Sequence, residues 1–263
     1  MTDQLTPEMW IGFHLSPFQQ AILCIGLPLL FSMTLLLIIR RVIHPRMLRQ
    51  HHGIAGPFLN TIGTFFGILL AFVVAESWYN YYLTESNASQ EAHIVEFLHQ
   101  DTIFIEDASK KAGLPELIKN YRDSVVTTEW PLLAKGEGSP EVDVLLKRLT
   151  DAYAHIQPKS GSETAYYGLL VKNLQDLKVL RATRIYDSRS TQIPFLWAIL
   201  ITGALITITF SCLFGAQNFS THVIMVFLLT SMICLAFYTV LTLDFPFSGL
   251  VRVGPDALSH LNL

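Results

Sequence analysis

The sequence predicts an all-α integral membrane protein, with four transmembrane helices and a helical domain inserted between spans two and three. Of its 263 residues, 51% are hydrophobic and only 15% are charged, and the mean hydropathy is +0.41. No formal charge occurs from Gly53 to Ala75, and from Ser190 to Leu243 only His222 can carry one. Uncharged runs of about 20 residues are long enough to cross a bilayer as a helix. No alternating pattern typical of strands is present.

Four apolar segments have the length and composition of membrane spans. They run from Phe18 to Ile39, from Pro57 to Trp78, from Ile193 to Phe214 and from Phe219 to Leu243. The link GAQNFS between the last two is short and uncharged, so we expect spans three and four to be antiparallel neighbours. The N-terminal MTDQLTPEMW lacks the basic region of a cleaved signal peptide, so we expect the first span to remain as an anchor.

The polar region between spans two and three is also predicted to be helical. Its apolar residues recur at intervals of three and four, which is the spacing of one helix face. We predict four helices, Leu83–Lys111, Leu114–Lys135, Pro140–Ile156 and Ser162–Ser190. Neither glycine nor proline separates the first of these from span two. We therefore expect one continuous helix there, and we expect the last helix to approach span three in the same way.

These elements divide the chain into three parts. Residues 1–82 hold spans one and two with a basic loop at 40–52, residues 83–190 form the helical domain, and residues 191–263 hold the hairpin and a tail. The loop carries Arg40, Arg41, Arg46 and Arg49, whereas the N-terminal tail has no lysine or arginine. The positive-inside rule places such a loop in the cytoplasm. We therefore expect a multi-pass protein of a bacterial inner membrane with its helical domain and C-terminus outside, although Arg181, Arg184 and Arg189 precede span three.

Charge and motif content argue against several functions. The net charge of −3 and the pI near 6.3 give no basic surface for nucleic acid. Cys24, Cys212 and Cys234 all lie in apolar runs, which favours buried thiols over disulfides or zinc ligands. No signature such as G-x-S-x-G or H-E-x-x-H occurs, so we expect neither an enzyme nor a cofactor. We expect no metal site either, because His93, Glu96 and His99 do not share one helix face.

Span two carries the candidate functional residues on two faces. A bulky stripe with alternating spacing of four and three ends in a carboxylate, and comprises Phe58, Ile62, Phe65, Leu69, Phe72 and Glu76. The other side is small or polar, and comprises Asn60, Gly63, Thr64, Gly67 and Ala71. Either face can pack against helices or lipid, or line a pore with a hydrophobic constriction. Glu76 is accordingly either a boundary residue beside Trp78 or part of a carboxylate ring that favours cations.

Charges outside span two bear on the sign of the ion. The acids from Glu76 to Asp107 are not interrupted by lysine or arginine, whereas basic residues dominate from Lys172 to Arg189. The two helices either lie antiparallel and complement each other's charge, or the acidic one lines a vestibule that concentrates cations. Asp244 ends span four on the same side as Glu76. It either pairs with an arginine, for which Arg181, Arg184 and Arg252 are the candidates, or shares an ion site with Glu76.

Several motifs together resemble the bestrophin-like family of four-span membrane proteins. They are the loop RRVIHPRMLRQHHGIAG, the segment GILLAFVV with Trp78, EWPLLAKG in the domain, and a closing block that contains LDFPFSG. Bestrophins, which that family distantly resembles, are pentameric anion channels with a narrow neck lined by their second span. The resemblance implies an oligomeric channel with span two at the axis. It also implies a cytosolic helical region and an anion preference, and both conflict with the charges above.

One difference from the family concerns the acid near span two. The family often has an acidic residue directly after the span-two tryptophan, whereas this chain has Tyr79 there and its acid at Glu76. We expect an oligomeric ion-conducting protein with span two lining the pore and a slight preference for cations. Its expected partners are membrane lipid, inorganic ions and further copies of itself. The alternative is a non-conducting membrane sensor or scaffold whose helical domain binds a partner.

Overall fold

The computed structural model describes residues 15–43, 52–105, 113–189, 194–214 and 218–263. All regular elements among these residues are helical, which confirms the predicted all-α class. The chain forms two compact units. The membrane unit comprises Met1–Asn80 and Thr191–Asp244, and the helical unit comprises Tyr81–Ser190 and Phe245–Leu263. Residues 245–263, which the sequence suggested as a tail after the hairpin, thus belong to the helical unit.

Span one begins at a capped helix. The first helix, α1, covers Pro17–Ala21, and its N-cap residue is Ser16. Ser16 Oγ accepts a hydrogen bond from the Gln19 N–H at 3.3 Å, while Gln19 Oε1 accepts one from the Ser16 N–H at 2.9 Å. This reciprocal capping box satisfies two N–H groups that have no partner inside the helix. A π-helical turn, Ile22–Gly26, then leads into α2, Leu27–Val42.

Span two is part of one long helix. The helix α3 covers His52–Asp101, 50 residues, and a 3₁₀ turn at Thr102–Ile105 follows it. The helix continues through the stretch between Trp78 and Leu83, as the absence of glycine and proline there predicted. The predicted end at Lys111 lies outside the described residues.

Four more helices build the helical unit beside the second half of α3. Helix α4, Leu114–Ser124, continues through a π-helical turn, Val125–Glu129, into α5, Trp130–Leu133. Helix α6 covers Pro140–Ala154 and α7 covers Gly161–Asp187. One continuous apolar core joins α3, α4, α6 and α7. Each predicted helix is therefore present, although the π-helical turn was not foreseen.

The expectation that the last domain helix approaches span three as an uninterrupted helix is wrong. Helix α7 ends at Asp187, where the Ser188 N–H still donates to the Arg184 carbonyl. The next described helix, α8, begins at Pro194.

The remaining helices complete both units. Helix α8, Pro194–Leu213, and helix α9, Phe219–Asp244, are spans three and four, and a short helix, α10, covers Asp256–Ser259. In the part of the chain that the structure describes, four helices are long and apolar enough to cross a membrane. The first of these spans is Phe18–Val42, which includes most of α1, the π-helical turn and α2. Their apolar segments agree with the four predicted spans within a few residues, except that α3 extends far beyond Trp78.

A glycine brings α8 and α3 into close contact inside the membrane unit. A methyl carbon added at Gly203 would lie 2.5 Å from Cδ2 and 2.8 Å from Cε2 of Phe66. Phe66 is itself buried and packs in an apolar core with residues of α2, α8 and α9. The ring therefore has little room to move, and the absence of a side chain at Gly203 is needed for this packing.

We predict that Gly203→Ala lowers the stability of the membrane unit by about 1–3 kcal/mol through overpacking against Phe66. The measurement is the apparent melting temperature of the purified protein in detergent. Gly67→Ala is the matched control, because an added methyl there meets no atom within 4 Å. Phe66→Leu in the Gly203→Ala background should recover part of the loss. Equal melting temperatures for the two glycine variants would contradict the steric explanation.

Candidate functional site

In the membrane unit, α3 packs against the other spans with one narrow face. Phe66, Val73 and Ser77 are buried, and they follow one another at helical spacing. Phe66 and Val73 belong to apolar clusters that include residues of α8 and α9. The buried Ser77 hydroxyl donates to the Val73 carbonyl at 2.9 Å.

The predicted bulky stripe lies beside this buried face and is open along its length. The rings of Phe58, Phe65 and Phe72 are 59%, 76% and 72% exposed. Ile62 and Leu69 are half-buried, and Glu76 is exposed. Ile62, Phe65 and Leu69 line an open groove beside α8, whereas Phe58, Phe72 and Glu76 are exposed outside it.

The small and polar face of α3 is open as well. Asn60, Thr64, Gly67 and Ala71 are exposed and Gly63 is half-buried. A methyl added at Gly63 or Gly67 would meet no atom within 4 Å, so this G-x-x-x-G does not bring another span of the chain close. Both candidate faces of span two are therefore available to lipid, to water or to another molecule.

Asn60 of α3 has more hydrogen-bonding groups than the exposed threonines of the spans. The exposed threonines Thr34, Thr202 and Thr239 each donate to a carbonyl of their own helix at 2.7–2.9 Å. Asn60 instead presents a primary amide, which has two donors and an acceptor. It lies three residues after Pro57, where the predicted span begins, about 5 Å along the helix axis. An amide is costly to leave facing hydrocarbon.

Three elements meet around a histidine where α2 ends and α9 begins. His222 is buried, its Nε2 lies 3.0 Å from the Ser211 carbonyl, and its Nδ1 lies 3.2 Å from Nη2 of Arg40. A carbonyl can only accept, so Nε2 carries the proton and Nδ1 accepts from the guanidinium. The Arg40 guanidinium also lies 5.0 Å from the centre of the Phe219 ring. The basic loop thus begins at an arginine that is anchored to spans three and four.

The helical unit contains a group of four buried charges, which we call the buried ion cluster. Its members are Glu91 of α3, Glu129 of the π-helical turn, and Arg181 and Arg184 of α7. Both glutamates are 0% exposed, and the two arginines are 6% and 1% exposed. Two negative and two positive groups therefore balance inside the core.

Each arginine of the cluster binds a carboxylate through two nitrogen atoms. Arg184 donates from Nε to Glu91 Oε2 at 2.6 Å and from Nη2 to Glu91 Oε1 at 3.0 Å. The same Nη2 donates to Glu129 Oε1 at 2.8 Å. Arg181 donates from Nη2 to Glu129 Oε2 at 2.5 Å and from Nε to Oε1 at 3.1 Å. Glu129 therefore bridges both arginines, in a geometry that favours strong charge-assisted hydrogen bonds.

Neutral groups complete the coordination of the two carboxylates. The Tyr121 hydroxyl donates to Glu91 Oε1 at 3.0 Å, and the Ser139 backbone N–H donates to Glu129 Oε2 at 3.0 Å. Burial, together with the neighbouring Glu91 carboxylate, raises the pKa of Tyr121 well above its usual value, so it stays protonated and able to donate. Burial lowers the pKa of Arg184, but the Glu91 carboxylate and its other partners offset this and hold it above its usual value.

A tryptophan connects the cluster to the C-terminal segment. The Arg184 guanidinium lies 4.9 Å from the centre of the Trp130 ring. Trp130 Nε1 donates to the Val253 carbonyl at 3.1 Å, and the Phe247 ring meets the Trp130 ring edge-on at 5.7 Å. Trp130 belongs to EWPLLAKG and Phe247 to LDFPFSG, so these two motifs are in direct contact.

Contacts along α3 and α7 show how their charges are used. Thr84 donates to Asp187 at 3.4 Å near one end, and Phe104 stacks on Tyr166 at 4.1 Å near the other. The helices are therefore antiparallel, as one of the two interpretations of the sequence predicted. The ion pair between them is made by Glu91 of the acidic segment with Arg184, while Glu85 is exposed.

Sequence reasoning did not find the buried ion cluster. Glu129 was not singled out, although it opens EWPLLAKG. Arg181 and Arg184 were considered as part of a basic segment that complements the acidic helix and as partners of Asp244, but not as members of one buried group. One available signal was that Arg181 and Arg184 are three residues apart and continue the apolar face of Leu177. Asp244 itself is fully buried at the end of α9, and its ion-site role stays a prediction. In the described ranges, no three His, Cys, Asp or Glu residues are grouped to hold a metal.

These features define a four-span helical membrane protein with an inserted helical unit. A sequence profile of the Bestrophin-like domain matches residues 26–258. The chain therefore belongs to the bestrophin-like family. No curated protein and no solved structure matches it significantly. The family suggests a channel-like role and is associated with channels rather than with enzymes.

We predict that Arg184→Met destabilises the helical unit by about 3–5 kcal/mol, because it leaves the Glu91 carboxylate buried without its cation. Asp143→Asn is the matched control. Asp143 also binds a cluster arginine, Arg181, at 2.6 Å, but the Asp143 side chain is 66% exposed. Removing its charge should therefore lower the stability of the helical unit by less than about 1 kcal/mol. The measurement is thermal unfolding followed by tryptophan fluorescence. Glu91→Gln combined with Arg184→Met should be less damaging than Arg184→Met alone, and an equally damaged double variant would contradict the ion-pair explanation.

Proposed function

We propose that this protein is an oligomeric ion channel whose pathway is lined by the membrane part of α3, with a slight preference for cations. The observation that carries the proposal is the open surface of α3. Its side chains Asn60, Thr64 and Glu76 are exposed. Asn60 and Thr64 line an open groove beside Thr207 of α8 and Leu229 of α9. Membership of the bestrophin-like family supports the channel class.

The open surface of α3 places polar side chains within a membrane span. Polar side chains within membrane spans usually face a protein interior or a water-filled cavity, because hydrocarbon offers them no hydrogen bonds. Arranging copies of the chain around an axis near α3 gives Asn60 and Thr64 such an environment. If the bulky stripe faces the axis instead, the exposed Phe65 and Phe72 supply bulk for a hydrophobic constriction that gates by dewetting.

The preference for cations rests on the carboxylates beyond the constriction. Glu76 is exposed at the end of the bulky stripe, and Glu85 is exposed farther along α3. Glu91 adds little to this field, because Arg184 neutralises it in the buried ion cluster. A mouth lined by the two exposed carboxylates attracts cations and repels anions.

We also propose that the helical unit lies outside the cytoplasm. Arg40 and Arg41 end α2 at the start of the basic loop, which the positive-inside rule places in the cytoplasm. The opposing signal was the group of arginines before span three. Arg181 and Arg184 of that group are buried in ion pairs, so the fold of the helical unit gives them a reason independent of orientation.

We predict cation-selective flux when the purified protein is reconstituted into liposomes. Glu76→Gln should move the reversal potential in asymmetric salt toward zero, because it removes the charge nearest the constriction. Glu116→Gln is the matched control, since Glu116 is an exposed carboxylate on α4. The channel proposal would be contradicted by flux no greater than that of empty vesicles over a range of voltage, pH and divalent ions. That result would favour a sensor or scaffold.

The same flux assay distinguishes the two faces of α3, because we predict different outcomes for each. If the bulky stripe lines the pathway, Phe65→Ala widens a constriction and increases flux. If the small face lines it, Asn60→Leu removes a polar group and decreases flux while Phe65→Ala has little effect. Measuring both variants at equal protein incorporation assigns the pathway to one face.

For orientation, we predict that alkaline phosphatase fused after Leu263 is active in intact cells and that a fluorescent-protein fusion at the same site is dark. The phosphatase needs an oxidising compartment for its disulfides. The matched control places the same reporters in the basic loop, where the opposite pattern is expected. A fluorescent C-terminal fusion with inactive phosphatase would place the helical unit in the cytoplasm.

A further inference from the structure

A cleft lies between spans one, three and four of the membrane unit, and we call it the three-span cleft. Its volume is about 330 Å³, which is within the usual range for ligand pockets. Its lining side chains come from span one, α8 and α9, and all of them are hydrophobic. Among the described residues, none from α3 lines the cleft. The cleft is therefore separate from the surface of α3 on which the proposed ion pathway depends.

The three-span cleft has a buried back wall and an exposed mouth. Ala204 of α8 and Cys234 of α9 line the cleft and are buried. Phe31 of α2 and Ile201 and Leu205 of α8 also line it, and between 43% and 49% of each residue is exposed. The exposed lining residues thus belong to α2 and α8. A molecule can enter between these two helices from the side, out of the medium that surrounds the spans.

The irregular start of span one forms one side of the cleft. The π-helical turn Ile22–Gly26 contributes Cys24 to the lining, and α2 contributes Pro28. Proline has no N–H group, so the Cys24 carbonyl cannot accept the usual hydrogen bond from four residues ahead. The Leu27 N–H donates to the Ile22 carbonyl and closes the wider turn. Single π-helical turns within helices are frequent at functional sites, and this one coincides with the cleft.

The length of the cleft corresponds to one leaflet of a bilayer. It extends from Leu23 to Phe31 on span one and from Trp197 to Ile208 on α8, which is about 12 and 16 Å along the helix axes. The hydrocarbon core of a bilayer is about 30 Å thick. Leu23 and Trp197 lie near the beginnings of spans one and three, which are on the same side of the membrane because consecutive spans alternate in direction. The cleft therefore follows one leaflet from near its surface toward the middle of the bilayer.

We propose that the three-span cleft binds an acyl chain of a membrane lipid. Apolar cavities exclude water and accept hydrocarbon, and a void of this size that stays empty is destabilising, because its lining loses packing contacts. The exposed mouth belongs to membrane-spanning helices, which lipid chains surround. The bound chain packs between span one and the hairpin of spans three and four. This site goes beyond the proposed function, because it requires neither conduction nor an assembly of copies.

The proposal is tested with the full-length protein in phosphatidylcholine liposomes, in which a small share of the lipid carries a photoreactive diazirine on one acyl chain. Cys24 and Cys234 line the cleft, whereas Cys212 does not. Cys212 is the matched control for Cys234, because the two residues are 0% and 2% exposed. After irradiation, mass spectrometry should find lipid adducts on Cys24 and Cys234 but not on Cys212. Labelling of Cys234 no greater than that of Cys212 would overturn the proposal.

A pair of variants tests whether the label enters through the mouth of the cleft. Ile201→Trp fills the mouth and should reduce lipid adducts on Cys234 several-fold. Ile206→Trp is the matched control, because Ile206 is on the same helix and does not line the cleft, and the two residues are 50% and 49% exposed. Circular dichroism checks that both variants keep their helices. Adducts that are undiminished in Ile201→Trp, or equally diminished in both variants, contradict the proposal.

Organic extraction of the protein purified in mild detergent identifies the natural occupant. We expect diacyl lipid from the wild type and from Ile206→Trp, and less from Ile201→Trp. A quinone or another molecule without an acyl chain, retained in place of the lipid, would reject the acyl chain as the occupant.

The lipid site and the channel can fail separately. Ion flux from a protein whose Cys234 is not labelled would retain the channel and reject the lipid site. Specific labelling of Cys234 in a protein without flux would retain the lipid site and reject conduction.

Discussion

The helical unit depends on mutual neutralisation of four charges that its core removes from water. Burying a carboxylate or a guanidinium costs several kcal/mol per ion, and only good geometry with every remaining hydrogen-bonding group satisfied offsets that cost. Glu129 meets this condition by bridging Arg181 and Arg184, and Glu91 meets it with Arg184 and Tyr121. Because the four residues come from α3, the π-helical turn and α7, a rotation or a shift of any one element leaves a charge uncompensated. The cluster therefore fixes the register of the whole unit.

The same interaction explains why two distant motifs belong together. Trp130 immediately follows Glu129, and its ring lies against the Arg184 guanidinium. A cation–π contact of this kind contributes about 0.5–2 kcal/mol, more when desolvated. The hydrogen bond from Trp130 to the Val253 carbonyl and the edge contact with Phe247 then attach the C-terminal segment to the unit. EWPLLAKG thus provides one acid of the cluster and the aromatic ring on which LDFPFSG packs.

Apolar run length and helical spacing were sufficient to predict nearly all of the fold. The four spans and the domain helices follow from them because both report local physics, namely the thickness of hydrocarbon and the period of a helix. The cluster could not be predicted in this way. Spacing shows that Arg181 and Arg184 share a face, but their partners lie 52 and 93 residues away in sequence, and several acids were equally plausible. The break after Asp187 was missed because the apolar and charge patterns run on to the next span.

The two units place their polar groups in opposite ways, and this difference bears on function. In the helical unit four charges point inward and pair with one another, although Arg184 Nη1 is buried without a hydrogen-bond partner. In the membrane unit the buried hydroxyls of Ser32, Ser77 and Thr207 bond to carbonyls of their own helices, while α3 directs Asn60 and Glu76 outward. Polar side chains at positions where lipid would favour apolar residues are typical of contact with water or protein. The proposed assembly of copies around α3 would give these polar groups such contacts.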